Sequence, residues 1–200
     1  MLPLAPAAVT RVLHVGCGRR KYGLAKLAEY VGLSASWDEH TEVWHLDADL
    51  ALNPTLRCTL GTDDIDLDDD SVDLVIAWHV LEHIKGSDAW FKAWEDLYRV
   101  LKPGGWIYAE SPYYDSIWAW SDPTHVRAIS EHSLIFFSQA SYRVPDSMIS
   151  PYRLRCDFQF LSMPGLEKGW TVITDPGDAR NRMLRFAMSA VKPLRPWWED

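Results

Sequence analysis

Cysteine is scarce and scattered in this 200-residue chain. Cys17, Cys58 and Cys156 form no Cys-x-x-Cys pair and no Cys/His spacing, so the pattern implies neither a disulfide framework nor a zinc motif, and no metal is expected from it. No apolar run reaches the ~18 residues that would cross a bilayer, so no membrane span is expected. The opening Met1-Leu2-Pro3-Leu4-Ala5-Pro6 lacks a positive region ahead of an apolar core, which argues against a secretory signal and for a reducing, cytoplasmic setting. Positive charge is also in deficit. Lys and Arg number 20 against 28 Asp and Glu, a formal net charge of −8. Phosphate backbones repel such a chain unless it assembles a local basic face, so a nucleic-acid partner is disfavoured.

What is present is ordinary for a globular protein, with 48% hydrophobic and 24% charged residues over a length that suits one domain, residues 1–200. Tryptophan is the exception, at 11 residues. Side chains of that size belong in an aromatic core or a subunit interface, which leaves a homo-oligomer open.

Strands and helices alternate through the first half. Arg11 to Val15 predicts a strand ending in Gly16-Cys17-Gly18, and Leu24, Leu27, Ala28 and Val31 then recur at helical spacing up to Gly32. Strands are expected at Glu42 to Asp47 and Thr55 to Leu60, followed by a solvated acidic loop holding Asp63, Asp64, Asp66, Asp68, Asp69 and Asp70. The apolar run from Asp73 to Trp78 has the composition of a strand covered on both faces. Ser87 is expected to cap a helix with an inward stripe of Trp90, Phe91, Trp94, Leu97, Tyr98 and Leu101. Pro103-Gly104-Gly105 stops it before a strand from Trp106 to Glu110. Such alternation predicts a doubly wound, mostly parallel α/β sheet. A short helix near Ser130 follows, with Leu134 and Phe137 inward. Two last strands are expected at residues 152 to 161 and 183 to 192, joined by a long link from Met163 to Gly177.

A glycine-rich turn after a first strand brings backbone close to a ligand at the carboxyl edge of a sheet. Gly16-x-Gly18 opens like a dinucleotide fingerprint, but Lys21 stands where the third small residue belongs, which argues against a pyrophosphate site. The Gly-Lys-Ser/Thr of phosphate-loop enzymes is absent too. A phosphate-free adenosine ligand remains compatible, and Asp47, at the tip of the second strand, is placed to accept from both ribose hydroxyls.

The segments VLHVGCG (12 to 18), HLDAD (45 to 49), DDDSVDLVIAWHVLEHI (68 to 84) and LYRVLKPGGWIYAESP (97 to 112) resemble, in order and spacing, the motifs of class I S-adenosylmethionine-dependent methyltransferases. They are most similar to the type-11-like group, some members of which accompany surface-polysaccharide synthesis. The resemblance implies a Rossmann-like, seven-stranded sheet with its last strand antiparallel. It implies a cofactor-binding core over 11–112, acceptor-side loops and a C-terminal hairpin over 113–200, and S-adenosyl-L-methionine as cofactor. Carried over by position, Gly16, Cys17 and Gly18 face the methionine and ribose. Asp47 holds the ribose, Ala48 lies beside the adenine, Gly61 and Thr62 border its edge, and Trp78 and His79 lie near the transferable methyl group. Two positions depart from the pattern. His14 stands where many relatives carry an acid for the methionine ammonium, and Gly61 stands where an adenine-side Asp is often found, with Asp63 or Asp64 as substitutes.

Methyl transfer to a hydroxyl needs a base, and the polar segment after the fifth strand holds His125 as a base and Arg127 as a clamp for an anionic acceptor. His79 and His83 compete for the base role, while Asp122-Pro123-Thr124-His125 fits a structural turn equally well. Tyr113, Tyr114, Trp118 and Trp120 are placed either to stack on a sugar or to pack a lid. Arg19, Arg20 and Lys21 crowd the start of the first helix, where cations oppose the helix dipole. The absence of Asn/Asp-Pro-Pro-Tyr after the fourth strand, and of any Pro-Cys pair, argues against adenine and cytosine methylation. The expectation is therefore an enzyme acting on a small or saccharide acceptor, at oxygen. Its rivals are a catalytically silent binding or assembly subunit of the same fold and a nucleic-acid methyltransferase.

Overall fold

The computed structural model describes residues 9–19, 22, 24–31, 41–49, 54–142, 152 and 154–195. The opening hexapeptide, Arg20, Lys21 and the helix-ending Gly32 lie outside the described residues. Elements run β1 (Arg11–Val15), α1 (Leu24–Val31), β2 (Glu42–Asp47), β3 (Leu56–Arg57), β4 (Val72–Trp78), α2 (Ser87–Val100), β5 (Leu101–Pro112), α3 (Ile117–Ser121), α4 (Glu131–Leu134), α5 (Gln139–Tyr142), β6 (Phe158–Phe160), β7 (Trp170–Asp175) and β8 (Asp178–Ala190). One sheet runs β3-β2-β1-β4-β5-β8-β6, and β7 pairs with β8 beside that path. The pairs β1 with β2, β1 with β4, β2 with β3 and β4 with β5 are parallel, whereas β8 runs antiparallel to β5, β6 and β7.

The sheet is covered on both faces, which explains why β4 is apolar almost throughout: six of its seven residues are buried. The exception, Asp73, is buried with its charge answered. Its Oδ2 accepts from Thr10 N, Thr10 Oγ1 and Arg11 N at 3.0, 2.8 and 2.9 Å, and Lys102 Nζ lies 2.8 Å from Oδ1. A buried carboxylate without such donors would be strongly destabilising, so the set fixes the entry of β1 against β4. On one face, α2 turns its stripe inward. Trp94 stacks on Phe137 at 4.2 Å and meets Phe158 edge-on at 5.4 Å. The expected aromatic core is present for Trp90, Trp94 and Trp106, all buried, while Trp118 and Trp120 stay 50% and 70% exposed.

Boundaries moved for local reasons. The N-cap of α2 is Gly86, with Ser87 the first helical residue and no side-chain cap. At its other end the chain passes from Val100 into β5 without a loop, and Pro103-Gly104-Gly105 is absorbed as an irregularity opposite Val72 and Leu74. The acidic loop is exposed as expected but is stitched to α2, because the Arg99 guanidinium donates to the carbonyls of Ile65 and Leu67 and to Asp69. Seven strands make the sheet path as expected, and the eighth, β7, lies within the segment expected to be a link. There Asp175-Pro176-Gly177-Asp178 makes a tight turn in which Gly177 N donates to Asp175 Oδ1 at 2.7 Å. Among the described residues, no helix is long and apolar enough to cross a membrane.

Candidate functional site

Parallel strands β1, β2, β4 and β5 end along one edge, and each delivers functional groups there. The turn after β1 and the tip of β2 are tied together: Gly16 N donates to Leu46 O at 2.9 Å, and Gly18 N donates to Asp47 Oδ2 at 2.9 Å. Asp47 Oδ1 also accepts from Asp49 N at 3.0 Å, which leaves a half-buried carboxylate with lone pairs to spare. Two cavities meet at Gly16. One of about 400 Å³ is lined by Asp47, Ala48, Leu60, Thr62, Val80 and His83, among others. The second, about 470 Å³, is lined by His14, Cys17, Gly18, Tyr22, Trp78, His79 and Glu110, among others. A Cβ placed on Gly18 would meet nothing within 4 Å, so backbone there borders open space.

Most of the residues expected to bind cofactor therefore line one cleft: His14, Gly16, Cys17, Gly18, Asp47, Ala48, Thr62, Trp78 and His79. Gly61 sits differently. Its φ is +84°, and a Cβ would lie 2.3 Å from the Ala89 carbonyl of α2, so close helix packing accounts for the glycine. Gly61→Ala is expected to lower stability by roughly 2–4 kcal/mol, from left-handed strain plus overpacking. Chemical denaturation tests this, and unchanged stability would mean that the turn can retreat from α2. Neither acid offered as a substitute beside Gly61 lines these cavities. Asp63 Oδ2 accepts from Thr59 N at 2.8 Å, and Asp64 pairs with Lys92. Leu60 and Thr62 stand on that wall instead.

His14 is 2% exposed. Burial disfavours its charge and His45 repels it, with Asp47 only partly offsetting them, so its pKa falls from 6.5 to about 4. A neutral imidazole offers no charge to an ammonium. The nearby carboxylate in the same cavity is Glu110, which escaped notice in the sequence as the end of a strand. It is buried and bonded to Trp78 Nε1 at 3.0 Å, His79 Nε2 at 3.3 Å and Arg185 Nε. Acidification makes the role of His14 measurable. Between pH 6.5 and 4 the unfolded chain gains a proton at this residue that the folded chain refuses, so stability falls across that window by up to about 3 kcal/mol. His14→Gln is expected to flatten this component in urea titrations at pH 7 and pH 5, and equal acid losses in both proteins would show that folded His14 accepts the proton.

His79 takes a left-handed conformation, φ 50°. Its Nε2 lies 3.3 Å from Glu110 Oε1 and its Nδ1 3.4 Å from Glu82 Oε1. Burial opposes its charge, but the two carboxylates outweigh that and push it up to about 9. A ring whose proton is held by two carboxylates is a poor proton acceptor, which weighs against the base role expected of His79. Arg127 is engaged away from the cleft: Nη2 donates to Gly86 O at 2.9 Å and the guanidinium lies 4.4 Å over the Trp90 ring. It fastens its segment to α2 and does not line either cavity, so it is not the anion clamp expected from the sequence. His125 sits in the turn expected of it and lines neither cavity. The Asp122 turn forms, with Oδ1 accepting from Thr124 N at 2.8 Å, and His125 Nδ1 lies 2.8 Å from Trp118 O. The other nitrogen, Nε2, faces Glu82 Oε1 and Asp122 Oδ2, each at 3.9 Å.

Residues 13–109 match a family model described as a methyltransferase domain. No curated protein matches the chain. Among solved structures the chain is similar to the N-methyltransferase NodS from Bradyrhizobium japonicum in complex with S-adenosyl-L-homocysteine, at 13% identity and TM-score 0.58 over 92% of this chain and 79% of that one. It is also similar to 1,6-didemethyltoxoflavin-N1-methyltransferase from Burkholderia thailandensis, at 13% identity and TM-score 0.55 over 92% and 72%. The [4+2]-cyclase SpnF shares the fold too, at 14% identity and TM-score 0.55 over 93% and 77%. Likeness at these identities concerns the fold alone.

Proposed function

From a chain whose residues 13–109 are a class I methyltransferase domain of the type-11 group, we infer S-adenosylmethionine-dependent methyl transfer to a small or saccharide acceptor, at oxygen. One observation carries it: the Gly16–Gly18 turn and Asp47 stand side by side on the tips of adjacent parallel strands, with open space over Gly18. The residues fit the cofactor. Asp47 accepts from the ribose hydroxyls. Ala48, Leu60, Thr62 and Val80 wall the adenine, and Gly61 supports that wall from behind. Across Gly16, Cys17 and Gly18 would border the ribose and methionine and Trp78 and His79 the methyl, while Glu110, whose charge His79 and Arg185 already answer, would offer the methionine ammonium a hydrogen-bond acceptor. When bound, the cofactor would supply a sulfonium methyl for in-line transfer to the acceptor with the thioether as leaving group, so positioning contributes much of the catalysis. On the acceptor side, His125 Nε2 takes the hydroxyl proton, and Arg127 acts as a positioning residue by anchoring the His125 segment to α2.

S-adenosylhomocysteine is expected to raise the melting temperature, since a ligand held at 100 times its Kd stabilises the folded state by about 2.7 kcal/mol. No shift at millimolar ligand would overturn the cofactor assignment. A second function, a catalytically silent binding or assembly subunit, is favoured by the buried neutral His14, and absence of S-adenosylhomocysteine binding would support it. Against a nucleic-acid acceptor stands the net charge of −8.

A further inference from the structure

Beside the cleft, the first turn after β4 and the segment after β5 bring three metal-ligating side chains together. One ligand atom from each of Glu82, His83 and His125 lies within 4.8 Å of the others. Glu82 is 1% exposed; its Oε2 accepts from Ser111 Oγ at 3.0 Å, and its Oε1 is buried without a hydrogen-bond partner. Next to that oxygen are His79 Nδ1 at 3.4 Å and His125 Nε2 at 3.9 Å.

The surrounding hydrogen bonds set both imidazoles as ligands. The Trp118 carbonyl can only accept, so His125 Nδ1, 2.8 Å away, carries a proton, and in the neutral ring the lone pair is on Nε2. Thr124 Oγ1 gives its one hydrogen to Asp122 Oδ1 at 2.6 Å, so it accepts from His83 Nδ1 at 3.1 Å, and in the neutral ring the lone pair of His83 is on Nε2. Metal-binding histidines are held in this way, with the second ring nitrogen bonded to a carbonyl or another acceptor. We propose that Glu82, His83 and His125 form a site for one divalent transition cation of the Zn²⁺ class. Two imidazoles and a carboxylate suit such ions and leave coordination positions open. His83 is shared with the wall of the 400 Å³ cavity, so the open positions border the cleft.

Cation binding stands by itself, but its role rests on the methyl transfer proposed above. A cation on His125 Nε2 occupies the lone pair that would otherwise take the acceptor's proton, so Zn²⁺ loading is expected to slow that transfer. The test uses chelator-treated, tag-free full-length protein, Zn²⁺ counted by elemental analysis after dialysis, and Co²⁺ followed by its visible absorption. About one equivalent is expected, with affinity falling more than ~100-fold in His125→Ala and Glu82→Gln. The exposed His132→Ala is expected to bind as the parent does. Less than 0.1 equivalent (on the order of background) in the parent, or equal affinity in the folded variants, would overturn the site. If Glu82→Gln does not fold, His83→Ala and the parental Co²⁺ spectrum decide. S-adenosylhomocysteine affinity measured on the same samples separates the two proposals: protein that binds it without zinc loses only the metal site, and protein that binds zinc alone loses the methyl transfer.

Discussion

Asp47→Ala is expected to weaken S-adenosylhomocysteine binding by about 10²–10⁴-fold. A hydrogen bond to a charged group contributes about 1.5–3 kcal/mol, so two ribose hydroxyls on one carboxylate amount to about 3–6 kcal/mol, at 1.4 kcal/mol per tenfold. The same carboxylate also holds the protein's own turn, through Gly18 N at 2.9 Å and Asp49 N at 3.0 Å. Its loss therefore lowers the stability of the free protein by about 1–3 kcal/mol, which denaturation detects without ligand. Calorimetry then separates the two effects, because a turn that merely loosens raises Kd modestly, whereas loss of the ribose acceptor removes most of the enthalpy. Asp47→Asn keeps the size and one acceptor and should fall between parent and alanine. A change in Kd below threefold in a folded Asp47→Ala would eliminate Asp47 as the ribose ligand.

Where one strand or one turn contains the whole signal, it was legible in the sequence. The uniformly apolar β4, the Gly16–Gly18 turn and Asp47 at the end of β2 each declare themselves within a few residues, and the parallel sheet sets them along one edge. Elements decided by tertiary contacts were harder to see. β7 is short and alternating, with Trp170 and Val172 packed on the core, and the Asp175-Pro176-Gly177 turn that makes it a hairpin was passed over inside a longer link. The adenine wall was expected to use Gly61, but its conformation is set by the Ala89 carbonyl, nearly thirty residues away in the chain. Charge partnerships were the least visible. Glu110 stands in a run of buried strand residues, and only the fold brings Trp78, His79 and Arg185 onto it. For the same reason the Glu82, His83 and His125 cluster escapes spacing rules: its third member comes after β5 in the chain, on a segment whose Val126 N donates to Glu82 O at 3.0 Å.

His125→Ala is expected to lower methyl transfer to a hydroxyl acceptor by about 10²–10⁴-fold, the usual range for losing a positioned proton acceptor, while leaving S-adenosylhomocysteine affinity within about threefold. The physical basis is the ring's placement. Its side chain is 8% exposed, Nδ1 is held by Trp118 O, and Nε2 faces the gap between Glu82 and Asp122. No ring nitrogen points toward Asp47 or the Gly16–Gly18 turn, so cofactor binding has no reason to change. The substitution also removes the link to Trp118 O and the edge contact with His83, whose ring centroid lies 4.7 Å away, and a purely structural role would appear there as lower stability and a loosened segment. His125→Asn preserves a donor to the Trp118 carbonyl but offers no basic nitrogen. If His125 serves only the turn, Asn should restore stability and turnover together; if it handles the acceptor's proton, Asn should restore stability alone. The readout is S-adenosylhomocysteine release across a panel of hydroxylated small molecules and saccharides, with Kd and unfolding measured on the same proteins. Near-parental turnover in a folded His125→Ala would remove this residue from the acceptor chemistry, and because two carboxylates favour the charged form of His79, the test would pass to His83.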